Sequence, residues 1–143
     1  MSGLARFAYL AGAVPFLVLG VAHALATPLA PGDRKGLSPR DPSLPDAMRA
    51  SALRLTSRTD MWLAWVGFNL SHSLGAVAFG AFVLAVGLTP GAFDALSVVC
   101  APLAALVAAS YLVIGLRCWF RTPIAGCAVS LACFLTAWVL TIG

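Results

Sequence analysis

The chain has 143 residues, of which 61% are apolar and only 10% are charged, and its net charge is +4. Soluble domains are about half apolar and about a quarter charged. Nine Lys and Arg with five Asp and Glu are too few to cover a soluble surface of this size, so the composition excludes an ordinary soluble domain and predicts an integral membrane protein. Most of the basic residues flank apolar runs, which indicates contact with lipid headgroups and no nucleic-acid partner.

Four apolar runs are long enough to cross a bilayer, which takes about 20 residues. They cover roughly 4–27, 61–88, 93–116 and 122–142. The sequence therefore predicts an all-α fold, a single transmembrane domain over 1–143 built as a four-helix bundle, with residues 28–60 as a long loop. The lipid bilayer is its first expected partner.

The basic residues are distributed unevenly between the two faces that four spans define. Eight lie on the face that holds the long loop, and Arg6 lies on the other. Cytoplasmic segments of membrane proteins carry an excess of Lys and Arg, so we expect the loop in the cytoplasm and both termini across the membrane. The basic residues expected at the membrane surface are Arg49, Arg54, Arg58, Arg117 and Arg121.

The long loop is predicted to have two parts. Five prolines between positions 28 and 45 disfavour a helix there. Ser43 can then cap a helix that has Pro45 in its first turn. We predict a short amphipathic helix lying on the headgroups, or alternatively a docking surface or a lid over a membrane cavity. Its apolar stripe would consist of Leu44, Met48, Ala52 and Leu55.

The second span contains the segment WVGFNLSHSLGAVAFG, residues 65–80, which is unusually polar for a buried segment. On a helix, Gly67, Ser71 and Gly75 are spaced four apart, a small-xxx-small pattern that lets helices approach closely. Lipid favours neither missing side-chain volume nor unpaired polar groups, so we expect this stripe and a second, adjoining stripe that is partly polar to pack against protein. The second stripe consists of Trp65, Asn69, His72, Ser73, Ala76 and Gly80.

The polar side chains of this segment allow two interpretations. They can hydrogen-bond across helices and stabilise packing, by about 0.6–2 kcal/mol each. They can also form a ligand or chemical site, because an ionisable group inside a membrane is costly to keep. The candidates for ligand binding or helix packing are Trp65, Asn69, Ser71, His72, Ser73 and His23.

A histidine in each of the first two spans raises the hypothesis of a bis-histidine haem. Counting from the helix ends at 1.5 Å per residue places His23 about 8 Å and His72 about 18 Å from the basic face. Axial ligands of one iron need similar depth, so this mismatch disfavours haem. The chain has no Glu and no carboxylate in the bundle interior, and it lacks a nucleophile–base–acid set. We therefore predict no catalytic residue, no metal and no cofactor, with haem b as the alternative.

The run RTDMWLAWVGFNLSHSLGAVAFG, residues 58–80, follows a short Met/Arg segment and a histidine late in the first span. It resembles a group of small bacterial four-span membrane proteins that share a GFNxSHSLG-type segment in the second span. The resemblance extends over residues 46–80 and elsewhere concerns only the hydropathy outline. It implies a four-helix fold, a shared polar cluster and the bacterial inner membrane, but no activity and no cofactor.

These observations favour a non-enzymatic role. The leading prediction is a structural or accessory subunit within a membrane assembly, which holds other membrane chains, a second copy or lipid. The alternative is an intramembrane binding or catalytic site for a small apolar ligand, with His72 and Asn69 as polar anchors and Trp65 as a wall. A b-type haem electron carrier is the third possibility.

Overall fold

A computed structural model describes residues 3–143. In chain order its elements are α1 (Gly3–Ala26), α2 (Leu44–Arg49), β1 (Ala52–Leu53), β2 (Thr56–Asp60), α3 (Met61–Leu88), α4 (Ala92–Cys118) and α5 (Arg121–Ile142). The four long helices, α1, α3, α4 and α5, are each long and apolar enough to cross a membrane. The predicted all-α four-helix architecture is confirmed, and the chain is a multi-pass membrane protein.

Local chemistry explains two of the helix boundaries. Asp60 precedes α3, and its Oδ1 accepts the backbone N–H of Leu63 at 2.8 Å, which satisfies one of the unpaired donors of the first turn. Gly91 precedes α4 with a φ of +75°, a left-handed conformation that glycine adopts without steric cost. The connection between α3 and α4 is short because such a turn closes it.

Residues 3–19 and 76–143 form one compact unit, called here the first unit. Its core places alanines against aromatic rings, including Tyr9, Phe16 and Phe134, all buried. Small residues allow close approach: a Cβ added at Gly12 would lie 2.5 Å from Cε1 of Phe134. This is how helices gain packing energy in lipid, where burial of apolar surface between helices gives no advantage.

Arg6 completes one end of the first unit. Its guanidinium donates to the backbone carbonyls of Gly87 and Leu88 at the end of α3. The last carbonyls of a helix have no intrahelical donor, and they form the negative end of the helix dipole. Arg6 therefore supplies both a hydrogen-bond donor and a compensating charge.

Residues 20–75 form the second unit, which contains the end of α1, the long loop and the first half of α3. The backbone N–H of Leu37 donates to the Ala26 carbonyl at 3.0 Å, so the proline-rich segment folds back on the end of α1. Asp33 Oδ2 accepts the N–H groups of Leu29 and Ala30 at 2.9 and 3.1 Å. The segment that lacks regular structure is thus held by defined hydrogen bonds.

The extended apolar stripe predicted for the loop helix is wrong. The helix begins at Leu44 as expected but ends at Arg49, and Ala52 pairs with Asp60 in an antiparallel hairpin. Leu55 lies in the hairpin turn and is 94% exposed. Residues 56–59 are Thr, Ser, Arg and Thr, and three of these have low helix propensity, so strand pairing satisfies the backbone instead.

The Ser43 cap is also absent. Its hydroxyl donates to Asp41 Oδ1 at 2.7 Å and makes no bond to the first turn of α2. The Ser43 backbone already has helical dihedral angles, with φ −83° and ψ −19°, whereas a capping residue is extended so that its side-chain oxygen can accept an N–H of the first turn.

Candidate functional site

The partly polar stripe of α3 faces protein, as its composition predicts. Within the second unit, Trp65, Asn69 and His72 are half-buried, and Ser73 is only 2% exposed. The same helix turns Gly67 and Ser71 outward. The polar residues of the segment 65–80 therefore do not all belong to one site.

His23 on α1 and Asn69 on α3 are joined directly. The His23 Nε2 atom lies 2.9 Å from Asn69 Oδ1. Asn69 Nδ2 donates to the Trp65 carbonyl at 2.8 Å, which identifies Oδ1 as the acceptor toward the histidine. His23 therefore carries a proton on Nε2, and in the neutral ring Nδ1 is the acceptor nitrogen.

His72 completes a cluster of three side chains. Its ring centroid lies 5.1 Å from that of His23, and the rings meet edge to face at 63°. We call His23, Asn69 and His72 the histidine cluster. It lies entirely within the second unit.

The expected difference in depth between the two histidines is wrong. Helix α3 has 28 residues and is about 42 Å long, whereas the hydrocarbon layer is about 30 Å thick. Counting the depth of His72 from Asp60 assumed that α3 enters hydrocarbon at its first residue. The direct contact between the rings shows that the two positions share one level.

The arrangement does not fit a bis-histidine haem. Axial imidazoles bind iron from opposite faces of the macrocycle, and here the two rings touch with no space for a macrocycle between them. The Nε2 atom of His23 is also engaged by Asn69. Within residues 3–143, no group of three or more His, Cys, Asp or Glu side chains is placed to hold a metal ion.

Hydroxyl groups fix the backbone around the cluster. Thr27 Oγ1 donates to the His23 carbonyl at 2.8 Å, and Ser73 Oγ donates to the Asn69 carbonyl at 3.0 Å. Ser73 is therefore a support within its own helix. Thr27, fully buried, was not among the sequence candidates, although a threonine four residues after a histidine at a helix end is a recognisable signal.

The predicted packing stripe of Gly67, Ser71 and Gly75 does not pack against any other part of residues 3–143. A Cβ added at either glycine would meet nothing within 4 Å. Ser71 is exposed, and its hydroxyl donates to the Phe68 carbonyl of the same helix at 2.9 Å. At about 100° per residue this stripe lies nearly opposite the polar stripe, so one neighbouring helix cannot cover both.

The membrane-surface candidates are all exposed. They are Arg49 on α2, Arg54 and Arg58 in the hairpin, Arg117 in the last turn of α4 and Arg121 at the first position of α5. Their exposure leaves their guanidinium groups available to headgroups.

No family model, no curated protein and no solved structure matches this chain. The class of protein therefore follows from the sequence and structure of this chain alone. It is a multi-pass membrane protein of four apolar helices, two of which are joined by a histidine–asparagine cluster. The resemblance to small bacterial four-span proteins stays a prediction.

Proposed function

We propose that the protein binds a small, mostly apolar molecule inside the membrane, with the histidine cluster as the polar anchor. One observation supports this most strongly: the chain contains two histidines and a single asparagine, and all three meet at one place. Elsewhere its spans use hydroxyl groups that bond their own helix, such as Ser110 and Thr136.

A purely structural link between α1 and α3 needs only one hydrogen bond, which His23 and Asn69 supply. A second imidazole beside the first adds an ionisable group that this link does not require, and such groups are costly in hydrocarbon. Both rings are half-buried, so a molecule arriving from the lipid can reach them.

The chemistry of the cluster suggests the kind of ligand. A neutral imidazole offers one donor nitrogen and one acceptor nitrogen. Asn69 fixes the Nε2–H tautomer of His23, as an orienting partner does in many histidine sites. The ligand class that fits is an apolar molecule with one carbonyl or hydroxyl group.

The test compares purified wild-type protein with His72→Gln and His72→Leu, by mass spectrometry of bound small molecules and by thermal melting in mild detergent. We expect a molecule that co-purifies with the wild type to be lost from both variants while melting changes little. Ser71→Ala on the outward side of α3 is the matched control and should retain it. If His72→Gln keeps every bound molecule and only His72→Leu loses stability, the cluster is a helix link and this proposal fails.

The second candidate function is that of a structural or accessory subunit. Its support is the outward face of α3, where Gly67, Ser71 and Gly75 leave open space for another membrane helix. Gly75→Leu should then abolish association with another chain or a second copy, while the melting of the isolated chain is unchanged. Ala81→Leu, exposed but off this face, is the control. If the Gly75→Leu variant still associates, the face of Gly67, Ser71 and Gly75 is not the surface that binds another membrane helix.

We also infer that the long loop faces the cytoplasm of a bacterial inner membrane, with other membrane chains reaching the protein from within the bilayer. The support is the eight-to-one distribution of basic residues, all eight of them exposed. A single cysteine at Gly36 in a cysteine-free variant should resist an impermeant maleimide in whole cells and react after lysis. Labelling of this cysteine in intact cells would show that the loop lies outside the cytoplasm, opposite to the inferred orientation.

A further inference from the structure

The β1–β2 hairpin has a tip that the proposed function does not use. Leu53 pairs with Thr56, which leaves Arg54 and Leu55 as the turn. Leu55 is 94% exposed, more than any other large apolar side chain that the structure describes. A fully exposed apolar side chain next to an arginine is typical of segments that lie in a membrane interface.

The hairpin carries a net positive charge. It contains two arginines, Arg54 and Arg58, near its tip and one acidic residue, Asp60, at its base. The Asp60 carboxylate faces the start of α3, where it accepts the N–H of Leu63. The hairpin therefore presents positive charge together with one apolar side chain.

The hairpin is tethered where α3 begins. The backbone N–H of Met61 donates to the Ser51 carbonyl at 2.9 Å, which closes the base of the hairpin against the first residue of a membrane helix. Strands rise about 3.3 Å per residue, so the tip lies within about 20 Å of that residue. The headgroup layer is within this reach.

From the exposed Leu55, the two arginines and this tether, we propose that the hairpin tip is a lipid-binding element for anionic headgroups. Leu55 enters the interface, and Arg54 and Arg58 contact lipid phosphates. The binding partner is a membrane surface. Leu55 matches the apolar acyl chains, and the arginines on either side of it match the anionic phosphates of the headgroups. This inference does not depend on the histidine cluster.

The experiment is amide hydrogen exchange of the full chain in nanodiscs, in neutral phosphatidylcholine and in a mixture with phosphatidylglycerol. We expect residues 54–58 to exchange about fivefold more slowly in the anionic discs and to lose this protection at high salt, because exposed charges are then screened. Residues 28–42 are the internal control and should change by less than about twofold.

Two variants separate the contributions. Leu55→Ser and the double variant Arg54→Gln/Arg58→Gln change only exposed side chains, so the fold is retained. Each should remove most of the protection in anionic discs. Equal exchange of the wild type in both lipid compositions would overturn the proposal. Protection that appears only with a co-purified protein chain would overturn it too, and would assign the tip to a protein partner.

Discussion

The two halves of α3 use small residues in opposite ways. In the second half, a Cβ added at Gly80 would lie 2.7 Å from Leu17 Cγ and 3.2 Å from the Ala13 carbonyl. In the first half, a Cβ added at Gly67 or Gly75 would meet no other side chain or helix within 4 Å. A glycine pattern therefore predicts close approach only when the direction of the face is known.

The two units also differ in what holds their helices together. The first unit is packed by alanines and aromatic rings, as where Phe16 meets Phe79 and Tyr111 at centroid distances of 4.7 and 5.3 Å. In the second unit, α1 and α3 are joined by the hydrogen bond between His23 and Asn69 and by the ring contact between His23 and His72. Packing of the first kind cannot tolerate added volume, whereas a hydrogen bond of the second kind can be replaced by another donor of similar reach.

The largest expected effect comes from added volume in α3. Gly80→Leu forces a side chain against the α1 backbone, and overpacking costs about 1–3 kcal/mol. Gly75→Leu places the same side chain in open space and should leave the stability of the monomer unchanged. Thermal melting of both variants in detergent measures the difference. Equal losses would remove the distinction between the two halves of α3.

The next effect tests the polar link of the second unit. His23→Leu leaves Asn69 Oδ1 without its donor and should destabilise the protein by about 1–2 kcal/mol. His23→Gln retains a donor and should recover most of that loss. Denaturation of wild type and both variants in mixed micelles provides the comparison. A glutamine variant as unstable as the leucine variant would mean that ring packing on His72, and not the hydrogen bond, holds this region.

The smallest effect concerns the loop. The N–H groups of Leu29 and Ala30 donate to Asp33 and lower the pKa of its carboxyl group below the ordinary value. Because the folded pKa is the lower one, this stabilisation is present above the unfolded pKa of about 3.9 and is lost as the pH falls through the folded value. We expect protection of amides 29–38, corrected for intrinsic exchange, to decline below about pH 4.

Two substitutions control this experiment. Asp33→Asn should abolish the pH dependence, because the amide does not titrate. Asp41→Asn should not, since the Ser43 groups that lower the pKa of Asp41 lie outside the measured segment. An unchanged decline in Asp33→Asn would exclude Asp33 as its origin.

The spans could be predicted from the sequence because length and hydropathy are local properties, and each helix end lies within two residues of its predicted position. The hairpin could not, because four apolar residues over twelve positions also fit a helical stripe. The contact between His23 and His72 was missed because the depth of each histidine was counted from the end of its own helix. Gly67 follows Trp65 by two residues and therefore lies about 200° from it around the helix. This angle follows from the sequence alone, and it already places the two stripes on opposite sides of α3.

The bond from Arg6 to the end of α3 has a consequence for biosynthesis. Its acceptors at Gly87 and Leu88 follow it by 81 and 82 positions in the chain. The helix α1 leaves the ribosome well before those carbonyls are synthesised. The Arg6 guanidinium therefore lacks these two acceptors while the loop and α3 are translated. Completion of α3, and not insertion of α1, is therefore the step at which the Arg6 guanidinium acquires its acceptors.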